Sequence, residues 1–276
     1  MLFPGGALPR VAAVARAGRS SRVLPLSRST VTPMNANTSL PSPAAAGAAT
    51  AEAATRPPSS PATPSEARWP FAFALMLTGL AGFLDAAAFV RFNHLYVSFM
   101  SGNSTHLGIS IADLAVPDLV AVLGVIAAFV AGAAVGTAVA DHVGEKFIGR
   151  VLALEAALFV AAILASLIGL SLPCVMIVAL TMGIQNVLHQ AVGGVDVGKG
   201  FVTGMLFRFG QSIARMVEAR LTWGSASTSL LNWLAFVGGA ALGTVAIGAL
   251  DFTICLALAL ALVMAMLVVI PLRNSC

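Results

Sequence analysis

Charged residues are scarce in this sequence. Only 9% of the 276 residues are Asp, Glu, Lys or Arg, whereas a soluble domain carries roughly a quarter. Hydrophobic residues make up 58% of the chain, and the mean hydropathy is +0.94. This composition excludes an ordinary soluble domain and predicts an integral membrane protein.

Disulfide, metal-binding and nucleotide-binding patterns are lacking as well. The three Cys residues are an odd number, and Cys174 and Cys255 lie in apolar runs, so neither a disulfide framework nor a metal site is indicated. The glycine pattern of a phosphate-binding loop is missing too, which argues against nucleotide-driven transport. We expect no metal and no cofactor, and we expect the cysteines to be small packing residues.

The net charge of +4 comes from the amino-terminal part of the chain. Residues 1–68 hold seven Arg and two Glu, whereas residues 69–276 hold eight basic and nine acidic side chains. The first 34 residues are rich in Arg, Ala and Ser and have no acid, which is typical of an organellar transit peptide. A gene start placed too far upstream, with Met34 as the true start, would give the same pattern. Either way, the prolines that follow predict a disordered leader over 1–68.

The remainder of the chain contains an internal repeat. The nine residues 129–137 recur 107 residues later as 236–244, with seven positions identical. The flanking sequence repeats too, because the segment 99–102 resembles the segment 201–204. In each segment a basic residue, His106 or Arg208, lies five positions after the Ser or Thr. This indicates duplication rather than shared Ala/Gly composition. The predicted units are repeat 1, residues 69–171, and repeat 2, residues 172–276.

Each copy of the nine-residue motif contains two glycines in a small-xxx-small pattern, which lets two helix backbones approach closely. These are Gly132 and Gly136 in the first copy and Gly239 and Gly243 in the second. Symmetry then predicts that the second and fifth spans cross each other at the centre of the molecule. A contact between two copies of the chain is the alternative.

Six runs have the roughly 20 mostly apolar residues that a membrane-spanning helix needs. They cover residues 70–91, 118–141, 148–170, 173–192, 231–250 and 252–271. The third and fourth runs, and the fifth and sixth, are separated by very short connections, so two helical hairpins are predicted. The fold class is therefore all-α, a polytopic membrane protein.

Basic residues in the short loops predict the orientation. With a cytoplasmic amino terminus, eight Lys and Arg side chains fall on the inner side and only Arg91 falls on the outer side. Both termini are predicted to be cytoplasmic. Because each repeat has three spans, the second must enter the membrane from the opposite face, which predicts two inverted three-helix repeats.

A short broken or re-entrant segment is predicted within each repeat. Residues 104–115 would form a helix of about 18 Å, too short for about 30 Å of hydrocarbon. Ser101, Asn103 and Ser104 are suitable N-cap residues, and the amino end of such a half-helix attracts anions. An ordinary loop outside the membrane is the alternative. In repeat 2, the amphipathic segment 203–220 is expected either to correspond to this half-helix or to lie on the cytoplasmic surface.

Polar side chains inside predicted spans mark candidate functional positions. The densest cluster, Gln185, Asn186, His189 and Gln190, lies near the end of the fourth span. The acids Asp85 and Glu155 are expected within the bilayer, where each should be paired, protonated or turned inward. For Glu155, a local pair with Arg150 would neutralise the charge. Packing between helices is the alternative role for these groups.

Four motifs together resemble the YoaK-like family of bacterial inner-membrane proteins, whose function is uncharacterised. They are GFLDA at 82–86, MSGN at 100–103, GIQN at 183–186 and VTG at 202–204. The family usually has Thr at the position of Ser101 and Met at that of Ile184. The resemblance covers residues 70–271 and implies a bacterial inner-membrane location but no substrate; an organelle membrane is the alternative if the leader is a true transit peptide.

The inverted repeat and broken segments predict a small-solute transporter that is not an enzyme, with its site near the midplane. Basic His106 and Arg208 favour an anionic solute. The alternative is a membrane scaffold or assembly protein. The expected partners are the lipid bilayer and a small solute, with a second copy of the chain as a further alternative, and no nucleic-acid partner is expected. The predicted substrate or coupling residues are Asp85, Ser101, Asn103, His106, Gln185, Asn186, His189, Thr203 and Arg208.

Overall fold

The computed structural model describes residues 64–143, 147–193, 201–217 and 223–274, and these residues form eight α-helices and no strands. The helices are α1 (Pro64–Arg91), α2 (Met100–Ala112), α3 (Val116–Val143), α4 (Phe147–Leu167), α5 (Ser171–Gly193), α6 (Phe201–Val217), α7 (Trp223–Ala249) and α8 (Phe252–Asn274). The predictions for residues 1–63, including the alternative start at Met34, lie outside the described residues.

Six of the eight helices are long and apolar enough to cross a membrane. The qualifying segments are Pro70–Arg91, Val116–Val143, Phe147–Leu167, Ser171–Leu188, Ser227–Ala249 and Phe252–Val269. The prediction of an all-α fold with six apolar spans is therefore confirmed. Helix α2 has 13 residues and α6 has 17, lengths of about 20 and 26 Å, short of the hydrocarbon thickness.

The α4–α5 connection is as tight as the sequence predicts. Helix α4 ends at Leu167, and Gly169 adopts a left-handed backbone with φ of +78°. The N–H of Leu170 then donates to the carbonyl of Ala165 at 2.9 Å. This is the usual way in which glycine ends a helix and satisfies its last carbonyl groups, and it turns α5 back along α4.

Helices α1 and α7 form a parallel pair whose contact depends on glycine. A Cβ added at Gly239 would overlap the carbonyl oxygen of Gly79, and one at Gly243 would overlap that of Phe83. Gly82 of α1 lies equally close to the Phe236 carbonyl of α7. The missing side chains therefore let the two backbones touch.

Helices α3 and α5 form a second parallel pair of the same kind. A Cβ at Gly132 would overlap the carbonyl oxygen of Leu180, and one at Gly136 would press on the backbone of Ile184. Gly183 of α5 lies against the Phe129 carbonyl of α3. Both copies of the nine-residue motif thus use their glycines for close helix contact.

The predicted crossing of the second and fifth spans is wrong. Within the described residues, α3 and α7 do not pack against each other, since α3 packs on α5 and α7 packs on α1. The glycine faces of both helices are filled by a helix of the same chain, with Gly132, Gly136, Gly239 and Gly243 all buried. The same burial removes these glycines as a contact between two copies of the chain.

The two parallel pairs are joined through α4 and α8, which pack against each other. The hydroxyl groups of Ser166 on α4 and Thr253 on α8 are 2.8 Å apart, and the rings of Phe92 and Phe252 meet edge to face at 4.8 Å. These contacts bring the end of α1 to the end of α4 and the start of α8. Helix α2 follows α1 at this face of the bundle, whereas α6 follows α5 at the opposite face.

Adjacent glycines on α7 provide a test of this packing. We expect Gly239→Ala to lower the free energy of unfolding by about 1–3 kcal/mol, because the added methyl group forces α1 and α7 apart. Gly238 has open space around its Cβ position, so Gly238→Ala should be neutral or stabilising by up to about 1 kcal/mol through its helix propensity. Thermal unfolding of both variants in detergent measures the difference, and equal stabilities would contradict the packing.

Candidate functional site

Buried polar side chains of the described residues fall mainly into two groups. The loop cluster lies at the end of α1 and the start of α2 and comprises Asp85, Tyr96, Ser98 and Asn103. The bundle cluster lies deeper, among the long helices, and comprises Thr78, Glu155, Thr181 and Gln185, all at most 2% exposed. The two clusters have different hydrogen-bonding states and therefore different chemical capacities.

The Asp85 carboxylate ties the loop before α2 to helix α1. One carboxylate oxygen accepts the N–H groups of Val97 at 2.8 Å and Ser98 at 2.7 Å, and lies 3.4 Å from that of Phe99. The other oxygen accepts the Ser98 hydroxyl at 2.6 Å. Asp85 is 2% exposed, so its hydrogen-bonding capacity is directed to the protein's own backbone.

Asn103 holds the same loop from the other side. Its carbonyl oxygen accepts the Tyr96 N–H at 3.0 Å, and its amide group donates to the Tyr96 carbonyl at 2.7 Å. The side chain is fully buried. The Asn103 side chain therefore bonds to both backbone groups of Tyr96, as a residue of a neighbouring strand would. Its amide group and its carbonyl oxygen each have a partner.

The predicted start of the first half-helix is wrong by about one turn. Helix α2 begins at Met100, after Phe99, which makes no side-chain cap bond. Ser101, Asn103 and Ser104 thus lie inside the helix, and the Ser104 hydroxyl bonds back to the Met100 carbonyl at 2.8 Å. Asp85, from another helix, accepts the N–H groups of residues 97–99, just ahead of the helix start. Within the first turn, the N–H groups of Gly102 and Asn103 donate to the Phe99 carbonyl at 3.1 and 3.4 Å.

This arrangement bears on the expected preference for anions. A helix amino terminus attracts negative charge, and the carboxylate of Asp85 already lies on the N–H groups of Val97 and Ser98. An anionic solute at this helix end would be repelled by the negative charge that already lies beside it. The amino end of α2 therefore gives no support for an anionic solute.

Two further titratable side chains are Tyr96 of the loop cluster and His106, which follows it on α2. Burial raises the pKa of the Tyr96 hydroxyl above its ordinary value, and the negative charge of Asp85 adds to the effect. His106, one turn beyond Asn103, is half-buried, and its Nδ1 atom is buried without a hydrogen-bond partner. Neither Asp85 nor Asn103 forms a hydrogen bond with Nδ1 of His106.

Gln185 links α5 to α1 in the bundle cluster. Its amide group donates to the Leu77 carbonyl at 3.0 Å, while its carbonyl oxygen Oε1 is buried without a partner. Leu77 precedes Asp85 by eight residues on the same helix, which is about 12 Å along the axis. The bundle cluster is thus clearly separate from the loop cluster.

Glu155 is the most isolated polar group in the bundle. It is fully buried on α4, and neither carboxyl oxygen has a hydrogen-bond partner. The expected pair with Arg150 does not form, because Arg150 lies exposed nearer the helix start. A charged carboxylate at the centre of a membrane helix costs about 3 kcal/mol even on a lenient scale, so this acid requires a compensating group or a proton.

The predicted site residues do not converge at one place. Ser101 and Thr203 are exposed, and Asn186 and Arg208 are half-buried. The side chain of His189 lies outside the described residues, as does that of Gln190. Of the predicted set, Asp85 and Asn103 share the loop cluster beside His106, and Gln185 lies alone in the bundle cluster.

The bundle cluster contains residues that were not among the predicted site residues. Thr78 and Thr181 are fully buried with Glu155, and the Thr78 hydroxyl donates to the Ala74 carbonyl at 2.8 Å. The one available signal was the acid at position 155 in the middle of an apolar run. In the described part of the chain, no group of three His, Cys, Asp or Glu side chains could hold a metal ion.

Comparison with known proteins shows the family of the chain. Residues 73–269 match a family described as proteins of unknown function and designated DUF1275. The chain belongs to this family, which is uncharacterised, as the sequence resemblance implies. No curated protein and no solved structure matches the chain. The family is therefore shown, but the name YoaK-like is not confirmed by a named relative.

The loop cluster makes a specific prediction about stability. We expect Asp85→Leu to lower the free energy of unfolding by at least about 3 kcal/mol, because it leaves buried N–H groups of the loop without an acceptor. Ser98→Ala removes only one hydroxyl donor and should cost about 1 kcal/mol. Amide hydrogen exchange of residues 97–99 should become faster in Asp85→Leu. Unchanged protection in that variant would show that Asp85 does not hold the loop.

Proposed function

We propose that the protein is a small-solute transporter, not an enzyme, built from two inverted repeats of three spans. The observation that carries the proposal is the matched glycine packing of the two parallel helix pairs. Inverted repeats of this kind underlie many carriers that expose one central site alternately to the two sides of the membrane. The family assignment is compatible with this role but gives no function.

The three closest glycine contacts in one helix pair each have a counterpart in the other. Gly82 against Phe236 corresponds to Gly183 against Phe129, with α1 and α5 offset by 101 residues and α3 and α7 by 107. The same offsets relate the contacts that Gly239 and Gly243 of α7 make with α1 to the contacts that Gly132 and Gly136 of α3 make with α5. A duplicated unit that keeps its internal packing would produce such a correspondence.

The directions of the helices favour inversion over a simple side-by-side repeat. The corresponding helices α1 and α5 run in opposite directions, because α1 ends at the face of the bundle where α5 begins. The two short helices, α2 and α6, follow them at opposite faces. Together with the excess of Lys and Arg on one side, this supports cytoplasmic termini, and we propose the bacterial inner membrane as the location.

The solute site is proposed to lie in the bundle cluster. Gln185 presents a buried carbonyl oxygen without a donor, the kind of group that a polar solute or an ion can satisfy. The loop cluster is assigned a structural role, since the hydrogen bonds of Asp85 and Asn103 are directed to the loop. The proposal therefore concerns a small solute without a stated charge.

A non-transporting scaffold is the second candidate. The hydroxyl pair of Ser166 and Thr253 and the Gln185 bond to Leu77 show that several polar groups do join helices, as they would in a scaffold. In that case Gln185 would contribute to stability alone. The two candidates differ in whether a change at Gln185 alters flux in a protein that remains folded.

Flux measurements in proteoliposomes test the transporter. With a panel of anionic, cationic and neutral solutes, we expect at least one to enter faster than into empty liposomes. Gln185→Leu should reduce that flux by about tenfold or more, the effect of losing about 1.4 kcal/mol of binding, because the variant removes the unsatisfied carbonyl group.

The matched control is Thr244→Val on the exposed face of α7, which should leave flux unchanged. Melting temperatures of both variants separate folding from transport. Absence of flux for every solute, or equal flux in Gln185→Leu and Thr244→Val, would favour the scaffold.

A further inference from the structure

Glu155 is a buried acid in the middle of a membrane span, and its side chain has no hydrogen-bond partner. It is the ninth residue of the 21-residue helix α4, near the middle of the span. It is fully buried, and both carboxyl oxygens lack a hydrogen-bond partner. A buried carboxyl inside a membrane bundle is a candidate for binding an ion or a proton.

The register of the α4–α5 hairpin brings a third unsatisfied oxygen to the same region. The Cys174 thiol donates to the Ala162 carbonyl at 3.4 Å, and in this antiparallel pair that contact puts Glu155 opposite Thr181. Gln185 lies one turn farther along α5, and its Oε1 is also buried without a donor. Side chains on α4 and α5 lean towards their own amino ends, so these two side chains lean towards each other.

On α4 itself, Arg150 lies five residues from Glu155 and is exposed. In the helices packed against α4, the residues that could neutralise Glu155 lie about 10 Å or more from its level along the axis. The helices packed against α4 are α3, α5 and α8. Their titratable or charged residues are Asp118, Asp141 and His142 on α3, Cys174 and His189 on α5, and Cys255 and Arg273 on α8. The α3 residues and Arg273 lie in the first or last turns of their helices. Cys174 and His189 are seven and eight residues from Thr181, the residue opposite Glu155, which is about 10–12 Å along the axis. Cys255 lies near the Ser166–Thr253 contact at the end of α4.

We propose that Glu155 and Gln185 form a proton-binding site at mid-depth in the bundle. The carboxyl group of Glu155 carries the proton, and its O–H donates to one lone pair of Oε1 of Gln185, so one proton satisfies two of the three buried oxygens. The second lone pair of Oε1 remains for the solute. When the site opens to water, the O–H bond breaks and the proton passes to water, leaving the carboxylate. The assignment of this proton as the coupling ion rests on the proposed transport function, whereas the binding site itself does not.

Infrared spectroscopy of the full-length protein in lipid nanodiscs tests the site directly. A protonated carboxyl group has a C=O stretching band that a carboxylate lacks. We expect such a band at neutral pH in the wild type, its loss in Glu155→Gln, and its retention in Asp113→Asn, which changes an exposed acid at the end of α2. Glu155→Asp should keep an acid band at a shifted frequency.

The partner is tested by Gln185→Met, which keeps the side-chain length but removes the acceptor. The acid band should then move to higher frequency, because the O–H group loses its hydrogen bond. Identical spectra for the wild type and Glu155→Gln, with matching melting temperatures, would overturn the site, and an unshifted band in Gln185→Met would overturn the pairing.

Flux measurements separate this inference from the transport proposal. An acid band at Glu155 without flux of any solute supports the site and refutes the transporter. Flux without the acid band refutes the site and leaves the transporter standing. If both are present, a pH gradient should drive solute accumulation in the wild type and fail to do so in Glu155→Gln.

Discussion

Close contact between helix backbones at glycine is the interaction on which this fold depends. Inside a bilayer, apolar side chains gain little by leaving lipid for protein, so helices associate through van der Waals contact and hydrogen bonds. The two parallel pairs, α1 with α7 and α3 with α5, achieve this contact because glycine lies where each backbone meets a carbonyl group of its partner. Helices α4 and α8 then complete the bundle around the polar groups at its centre.

A second constraint explains why the loop cluster is so polar. Backbone N–H groups within or near the hydrocarbon must find acceptors in the protein, and the chain between α1 and α2 is not helical. Asp85 and Asn103 supply those acceptors from two different helices. Buried polar residues in a membrane protein can therefore be structural at the edge of a span, as Asp85 is, and functional at its centre, as we propose for Glu155.

Much of the architecture could be predicted because it depends on local pattern. Apolar length predicted six spans, and the short gap between the third and fourth spans predicted a tight turn. The predicted gap was at residues 171–173, whereas the structure has the turn at residues 168–170 and begins α5 at Ser171. The glycine repeat indicated close contact but not its partner, because a motif present in two copies can meet its own copy or another helix equally well. The contact of Asp85 with the loop before α2 was missed for a similar reason: Asp85 lies 15 residues before Met100, and only the folded chain brings its carboxylate to that loop.

The central claim is that the two halves of the molecule are inverted, and the access of two equivalent positions tests it most directly. Ser101 and Thr203 are repeat-related and both exposed, near the starts of α2 and α6. In a background without the three native cysteines, each would be replaced by Cys and labelled with a membrane-impermeant thiol reagent applied to one side of oriented membranes. The account predicts labelling of Ser101→Cys and Thr203→Cys from opposite sides. Labelling of both from the same side would contradict it.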